Sequence, residues 1–319
     1  MSGCLLSECD KLFLISAWND SGGAFTHRLF DGHPQLHSWP FELQLGTSEA
    51  FDSEIPWLKA KFRWPRFSSG LAPGDLFDSI LDTELKEVLQ RPRTGKFGDF
   101  FVGVRLDEWR DRFCLGLRPD ATPRDIVQRY LKSFFELDEA VCRSGREVRV
   151  VGHCPNLVLD AGRVFADFCD ARMLNVVRCP IAGFSDMRAR NPDLRAEEFA
   201  RRWSDVNGAV ARSAAEHGSK VFNISLNSLL SNLRSGMDVI CDWLELEFSD
   251  LLLKPTWRGR AVVFPGPFGG LRGISIESEL AAVAKVSAFD KEVLVSLTRS
   301  VREELGFDVV GGNYIQHLL

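Results

Sequence analysis

The first regular stretch of this chain is an apolar run that stops at a glycine pair. Residues Lys11–Ser16 read KLFLIS, Asn19-Asp20-Ser21-Gly22-Gly23 follow, and an amphipathic stretch from Ala24 to Phe30 closes at Asp31-Gly32-His33-Pro34. An apolar run bounded by turn residues and followed by helical periodicity predicts strand, turn, helix. The alternation recurs. Glu147–Gly152 (EVRVVG), Met173–Val177 (MLNVV) and Lys220–Ile224 (KVFNI) read as the second, third and fourth strands. Val164–Asp170, Ala196–His217, Gly236–Leu246 and Ala288–Leu305 read as helices, with Gly218 and Gly306 as stop signals. Strands alternating with helices predict an α/β fold whose parallel sheet is covered on both faces.

The segment 52–145 departs from that pattern. It carries an aromatic and basic cluster, Phe62-Arg63-Trp64-Pro65-Arg66-Phe67, and helical patterns such as Asp125–Cys142. It reads as an insertion of helices and loops within one domain spanning 1–319. From Pro255 to Gly273 the chain is rich in Gly and Pro and reads as loop.

Composition narrows the class. Hydrophobic residues make up 45% and charged residues 26%, which excludes a disordered chain, a collagen-like chain and a coiled-coil rod. The net charge is 39 − 44 = −5, which argues against a general nucleic-acid binder. No run approaches the roughly 18 apolar residues of a membrane helix. Glu8, Asp10 and Lys11 break the apolar start at Leu5-Leu6, so no secretory leader is expected and the location expected is cytoplasmic. The scattered cysteines form no C-x-x-C pair, which predicts free thiols and no zinc site.

The chemistry-bearing feature is the turn. Gly22 and Gly23 let the backbone approach an anion closely, and the following helix start offers free N–H groups. It is not a Walker A loop, because no Lys-Ser/Thr pair follows the second glycine. A tight turn that merely needs small residues reads equally well from this stretch alone.

The order of further stretches adds a resemblance. Ile15–Pro34 (ISAWNDSGGAFTHRLFDGHP), Val150–Pro155 (VVGHCP), Asn175–Arg190 (NVVRCPIAGFSDMRAR) and Glu197–Arg260 (EEFARRWSDVN to WLELEF and LLKPTWRGR) cover about a third of the chain. Together they resemble the sulfotransferases that use 3′-phosphoadenylyl sulfate. The resemblance implies a P-loop-NTPase-like sheet with a helical insertion after the first βα unit, the insertion contributing to an acceptor site. It implies sulfonate transfer from 3′-phosphoadenylyl sulfate to a hydroxyl of a carbohydrate, glycolipid or small metabolite, with no metal. The other reading is a catalytically silent nucleotide-binding protein on the same fold.

Carried across by position, the resemblance implies that Asp20, Ser21, Gly22, Gly23 and Ala24 form the 5′-phosphosulfate loop. Phe25 falls on a position that can pack against adenine, and a core residue at a helix start is the alternative. Arg178 and Ser185 fall on the 3′-phosphate pair, and Arg258 and Arg260 on a loop that closes over the same phosphate. Asp20 stands where the family has Lys or Arg, Gly23 and Ala24 replace two threonines, and the Arg178–Ser185 spacing is one residue short. A hydroxyl acceptor needs a general base. His153 matches the histidine position of the cytosolic members, while Glu42, in WPFELQLG, lies near the glutamate of the tyrosylprotein members. The cluster Phe62–Phe67 with Trp109 and Arg110 suggests an acceptor site or, equally, a buried helical cap.

Overall fold

A computed structural model describes residues 11–45, 55, 57, 64–68, 70–81, 83–90, 102–138, 149–261 and 274–306. Phe62, Arg63, the end of the 52–145 segment and most of the 255–273 loop lie outside the described residues. The centre is a five-stranded parallel sheet: β1 (Leu12–Ala17), β2 (Leu36–Glu42), β3 (Arg149–His153), β4 (Arg172–Val177) and β5 (Val221–Ser225), in the order β2-β3-β1-β4-β5. Every ladder in it is parallel. The α/β parallel architecture read from the sequence is the one observed.

Side-chain alternation along β1 explains why LFLISA shows no polar face. Leu12 and Leu14 enter one apolar cluster, Phe13 and Ile15 the other. Successive residues of a strand point to opposite faces, so a strand covered on both sides must be apolar throughout. On one face lie α1 (Gly23–Leu29), α9 (Leu226–Ser231) and α10 (Leu233–Leu244), which fill the cluster of Phe13, Leu29, Leu229 and Ile240. On the other lie α6 (Ala161–Asp167), α7 (Pro180–Arg190) and α8 (Ala196–His217). Behind α7 and α8 pack α11 (Ile276–Ala284), α12 (Ala288–Leu297) and α13 (Arg299–Leu305).

Between β2 and β3 come α2 (Pro73–Ile80), α3 (Thr83–Gln90), α4 (Leu106–Gly116) and α5 (Pro123–Leu137). A capping box at Thr122 and Asp125, with Pro123 in the first turn, starts α5. Its buried face carries Tyr130 and Phe134, which meet Trp109 and Trp39 at ring-centroid distances of 4.6–5.9 Å. Trp39 belongs to β2, so these helices share the sheet's core. Trp109 and Trp64 are buried in it, and Arg110 is half-buried and pairs with Asp78 at 3.1 Å. The described part of the aromatic cluster is therefore core packing.

The sequence reading missed β2 because Pro40 interrupts LHSWPFE. Pro lacks the N–H a central strand needs, but β2 is an edge strand, where nothing is lost. The strand read as second in the chain is thus β3. Pro180 marks the start of α7, also missed, and the last helix breaks at Thr298 into α12 and α13. Among the described residues, no helix is long and apolar enough to cross a membrane, and no group of three or more His, Cys, Asp or Glu is placed to hold a metal. Cys114, Cys154, Cys169, Cys179 and Cys241 are free thiols.

Candidate active site

Parallel strands carry their carboxyl ends to one edge of the sheet, which is where open α/β folds bind ligands. Here that edge gathers the turn after β1, Glu42 at the end of β2, His153 at the end of β3 and Arg178 just past β4.

The turn is shaped by two different constraints on its glycines. Gly22 has φ +88°, a left-handed conformation, and it caps α1 without any side-chain bond. Gly23 has no such backbone demand. A Cβ there would stand 2.2 Å from His153 Nε2 and 2.8 Å from the Ala17 Cβ. Gly23 is glycine because a histidine packs against it. Ser21 N–H donates to Trp18 O at 3.0 Å, Ser21 is buried, and Ala24 is exposed. Asp20 also has positive φ, +61°, and its carboxylate pairs with Arg190 from the last turn of α7. Phe25 is buried in the cluster of Phe13, Ile15 and Leu226, so its ring is committed to the core.

His153 and Glu42, the two candidate bases, are register partners across β2 and β3, and Leu43 N–H donates to His153 O at 2.7 Å. Their environments differ. His153 is buried, and its Nε2 has no hydrogen-bond partner. Burial, then the nearby Arg28 charge, pushes its pKa down to about 3. His27, with its ring 6.4 Å away, is held well below the usual imidazole range by burial first, then by Arg28 and His153. Glu42 is half-buried. One of its oxygens accepts from Gln44 Nε2 at 3.1 Å, and the other takes no hydrogen bond from a described residue.

Arg178 is buried in carboxylates. Its Nε lies 3.1 and 2.9 Å from the two Glu279 oxygens, and its Nη2 lies 2.5 Å from Glu279 and 2.5 Å from Asp186. Nη1 donates to the Asp20 carbonyl at 2.9 Å. Burial alone would lower the guanidinium pKa, but the hydrogen bond and charge of Glu279, with Asp186, raise it above its usual value. No hydrogen bond joins Ser185 to Arg178 among the described residues. Ser185 lines a pocket of about 660 Å³ with Phe184, Arg188, Lys285, Ser287 and Asp290, whereas the next residue, Asp186, turns to Arg178.

Arg258 and Arg260 sit elsewhere again. Arg258 has φ +53°, pairs with Asp138 at the end of α5, and lies over the Trp257 ring at 5.6 Å. Trp257 Nε1 donates to Pro40 O at 2.7 Å, which fixes this loop to the β2 edge. Arg28 Nη2 donates to the same oxygen at 2.5 Å. Arg260 pairs opposite Trp257 in a two-residue ladder and is exposed. Edge strand β2 and strand β4 are three spacings apart, about 14 Å at 4.7–4.9 Å each. The structure therefore brings Glu42, His153 and the glycine turn together. Arg178, Ser185 and Arg258 each have different partners: the carboxylates Glu279 and Asp186, the pocket beside Arg188, and Asp138.

Sequence reasoning missed Glu279, Asp186 and Arg190. Arg190 closes the NVVRCPIAGFSDMRAR stretch, and only placement of α7 would have aimed it at the turn. Glu279 is 101 residues from Arg178 and gives no local signal.

The sulfotransferase domain of the olefin synthase of Synechococcus PCC 7002 matches with a TM-score of 0.54 over 94% of this chain and 95% of that one, at 19% identity. The chain has the sulfotransferase fold. The sulfotransferase domain of the curacin biosynthetic pathway matches with a TM-score of 0.50 over 94% of this chain and 98% of that one, at 15% identity. No family model matches the chain, and no curated protein does.

Proposed function

We propose that the chain is a sulfotransferase that moves a sulfonate from 3′-phosphoadenylyl sulfate to a hydroxyl, with a small metabolite favoured over a carbohydrate or glycolipid acceptor. The observation that carries this reading is the Gly22–Gly23 turn packed against the ends of β2 and β3, with Glu42 and His153 side by side there. The names of both solved neighbours point to biosynthetic enzymes, which supports the small-metabolite choice.

A glycine turn whose Gly22, Gly23 and Ala24 N–H groups donate to no described residue fits a 5′-phosphate, so these three would hold that end of the donor. Arg178 does not fit as the 3′-phosphate reader, because Glu279 and Asp186 already occupy it. Its role in this reading is to hold the turn through the Asp20 carbonyl. Glu42 serves as the base. A histidine with a pKa of about 3 has little basicity to offer near neutrality, whereas Glu42 keeps one oxygen open. Glu42 takes the hydroxyl proton, the acceptor oxygen bonds to sulfur, and the sulfur–oxygen bond to the 5′-phosphate breaks. The bond's electron pair leaves with the phosphate, where the turn's N–H groups stabilise it.

Glu42→Gln is expected to lower kcat by about 10²–10⁴-fold while leaving adenosine 3′,5′-bisphosphate affinity unchanged. His153→Ala should cost stability more than kcat. Full turnover by Glu42→Gln, with a comparable kcat loss in His153→Ala, would hand the base role to His153. The Asp20 carboxylate at the turn is the observation that favours the silent nucleotide-binding reading. Bisphosphate binding with no sulfonate transfer to any hydroxyl would support it.

A further inference from the structure

An anion seated at the Gly22–Gly23 turn has a carboxylate, Asp20, as its near neighbour in the chain. Bringing two negative charges together is unfavourable unless a cation stands with them. Among the described residues, two guanidiniums reach this turn. Arg178 is buried, and its three nitrogens are engaged by Glu279, Asp186 and the Asp20 carbonyl. Arg190 is the other. It comes from the last turn of α7 and pairs with Asp20 through Nη2 alone, with its side chain 51% exposed. A guanidinium carries five N–H donors in a planar fork, and Nε and Nη1 of Arg190 donate to no described residue. Asp20 thus brings a solvent-facing cation to the turn and leaves most of its donors unused.

We propose that Arg190 is the residue that binds the 5′-oxyanion of the nucleotide at this turn, through the donors that Asp20 leaves unused, with Asp20 as the side chain that positions it. The assignment rests on the donor reading above and extends it, since it gives the turn a positive group that its own sequence lacks. Fork geometry suits a phosphate or sulfate oxygen pair. The Asp20 pairing makes the site net neutral before the ligand arrives, so an incoming anion meets donors without an uncompensated carboxylate. Arg190 lies on an exposed helix end, so its replacement does not disturb the core.

The test is calorimetric binding of adenosine 5′-phosphate and adenosine 3′-phosphate to the full chain and to Arg190→Gln, Arg190→Lys and Asp20→Asn. Arg190→Gln is expected to weaken the 5′-phosphate by about 10- to 100-fold, as for loss of a charge-assisted hydrogen bond, and the 3′-phosphate by less than about 3-fold. Arg190→Lys should recover part of the loss, because it keeps the charge and loses the fork. Asp20→Asn should shift 5′-phosphate affinity by less than Arg190→Gln does. Equal losses for both nucleotides, or none, in a folded Arg190→Gln chain would overturn the assignment while leaving the donor reading intact. A wild-type chain that binds neither nucleotide would overturn both.

Discussion

Arg178→Ala is expected to destabilise the fold by about 3–5 kcal/mol, the usual cost of breaking a buried ion pair from one side. The substitution leaves Glu279 and Asp186, with side chains 2% and 6% exposed, without their cation. It also removes the donor to the Asp20 carbonyl, so the glycine turn loses its anchor. For a chain of this size the melting temperature should fall by roughly 4–8 °C. Glu279→Gln should behave differently. The wild-type cluster holds one cation and two carboxylates, and the amide leaves one of each. A change within about 1 kcal/mol is expected there, since the remaining pair is charge-balanced. Urea denaturation of both variants checks this. A stable Arg178→Ala chain that has simply lost nucleotide affinity would show that Arg178 reads a phosphate after all.

Acid should unfold this protein early. Burial holds His37 at a pKa of about 4 and, with help from Arg28, His153 at about 3; His27 is also held well below its ordinary value. The unfolded chain returns each to about 6.5. Below that value the unfolded state binds protons that the folded state refuses, so stability is lost as pH falls from about 6.5 toward the folded values. Each histidine contributes up to about 1.4 kcal/mol per pH unit in that window. Together the three should remove about 2–4 kcal/mol between pH 6 and pH 5, before most carboxylates titrate. His37 stacks on Phe135 at 5.1 Å, and His37→Phe should reduce the slope by about one proton. Unfolding free energies measured by urea at pH 7, 6 and 5 decide it. A flat profile would mean that these imidazoles are protonated in the fold.

What the sequence disclosed and what it withheld divide by the range of the interaction. The β1–turn–α1 unit and the helix Ala196–His217 were readable because their signals are local: apolar run, glycine pair, 3.6-residue periodicity, glycine stop. β2 was hidden by Pro40, whose tolerance depends on the strand lying at a sheet edge, a tertiary fact. At the site, the position of His153 was legible in VVGHCP, but its burial against Gly23 was not. The Arg178–Ser185 pairing was implied by the resemblance alone. In the fold, α7 turns Asp186 to Arg178 and Ser185 to a separate pocket. Likewise Arg258 is drawn to the β2 edge by Asp138 and by the Pro40 carbonyl that holds Trp257, contacts spanning 120 and 217 residues.

The most direct measurement of the central claim is the melting temperature of the wild-type chain with adenosine 3′,5′-bisphosphate and, separately, with ATP and Mg²⁺. A ligand at 100 times its Kd stabilises the folded state by about 2.7 kcal/mol, which is several degrees for a chain of this length. The account expects that rise with the bisphosphate and a smaller one with ATP and Mg²⁺, because the turn lacks the Walker lysine and serine pair. Equal or greater stabilisation by ATP and Mg²⁺, or none by the bisphosphate, would contradict it.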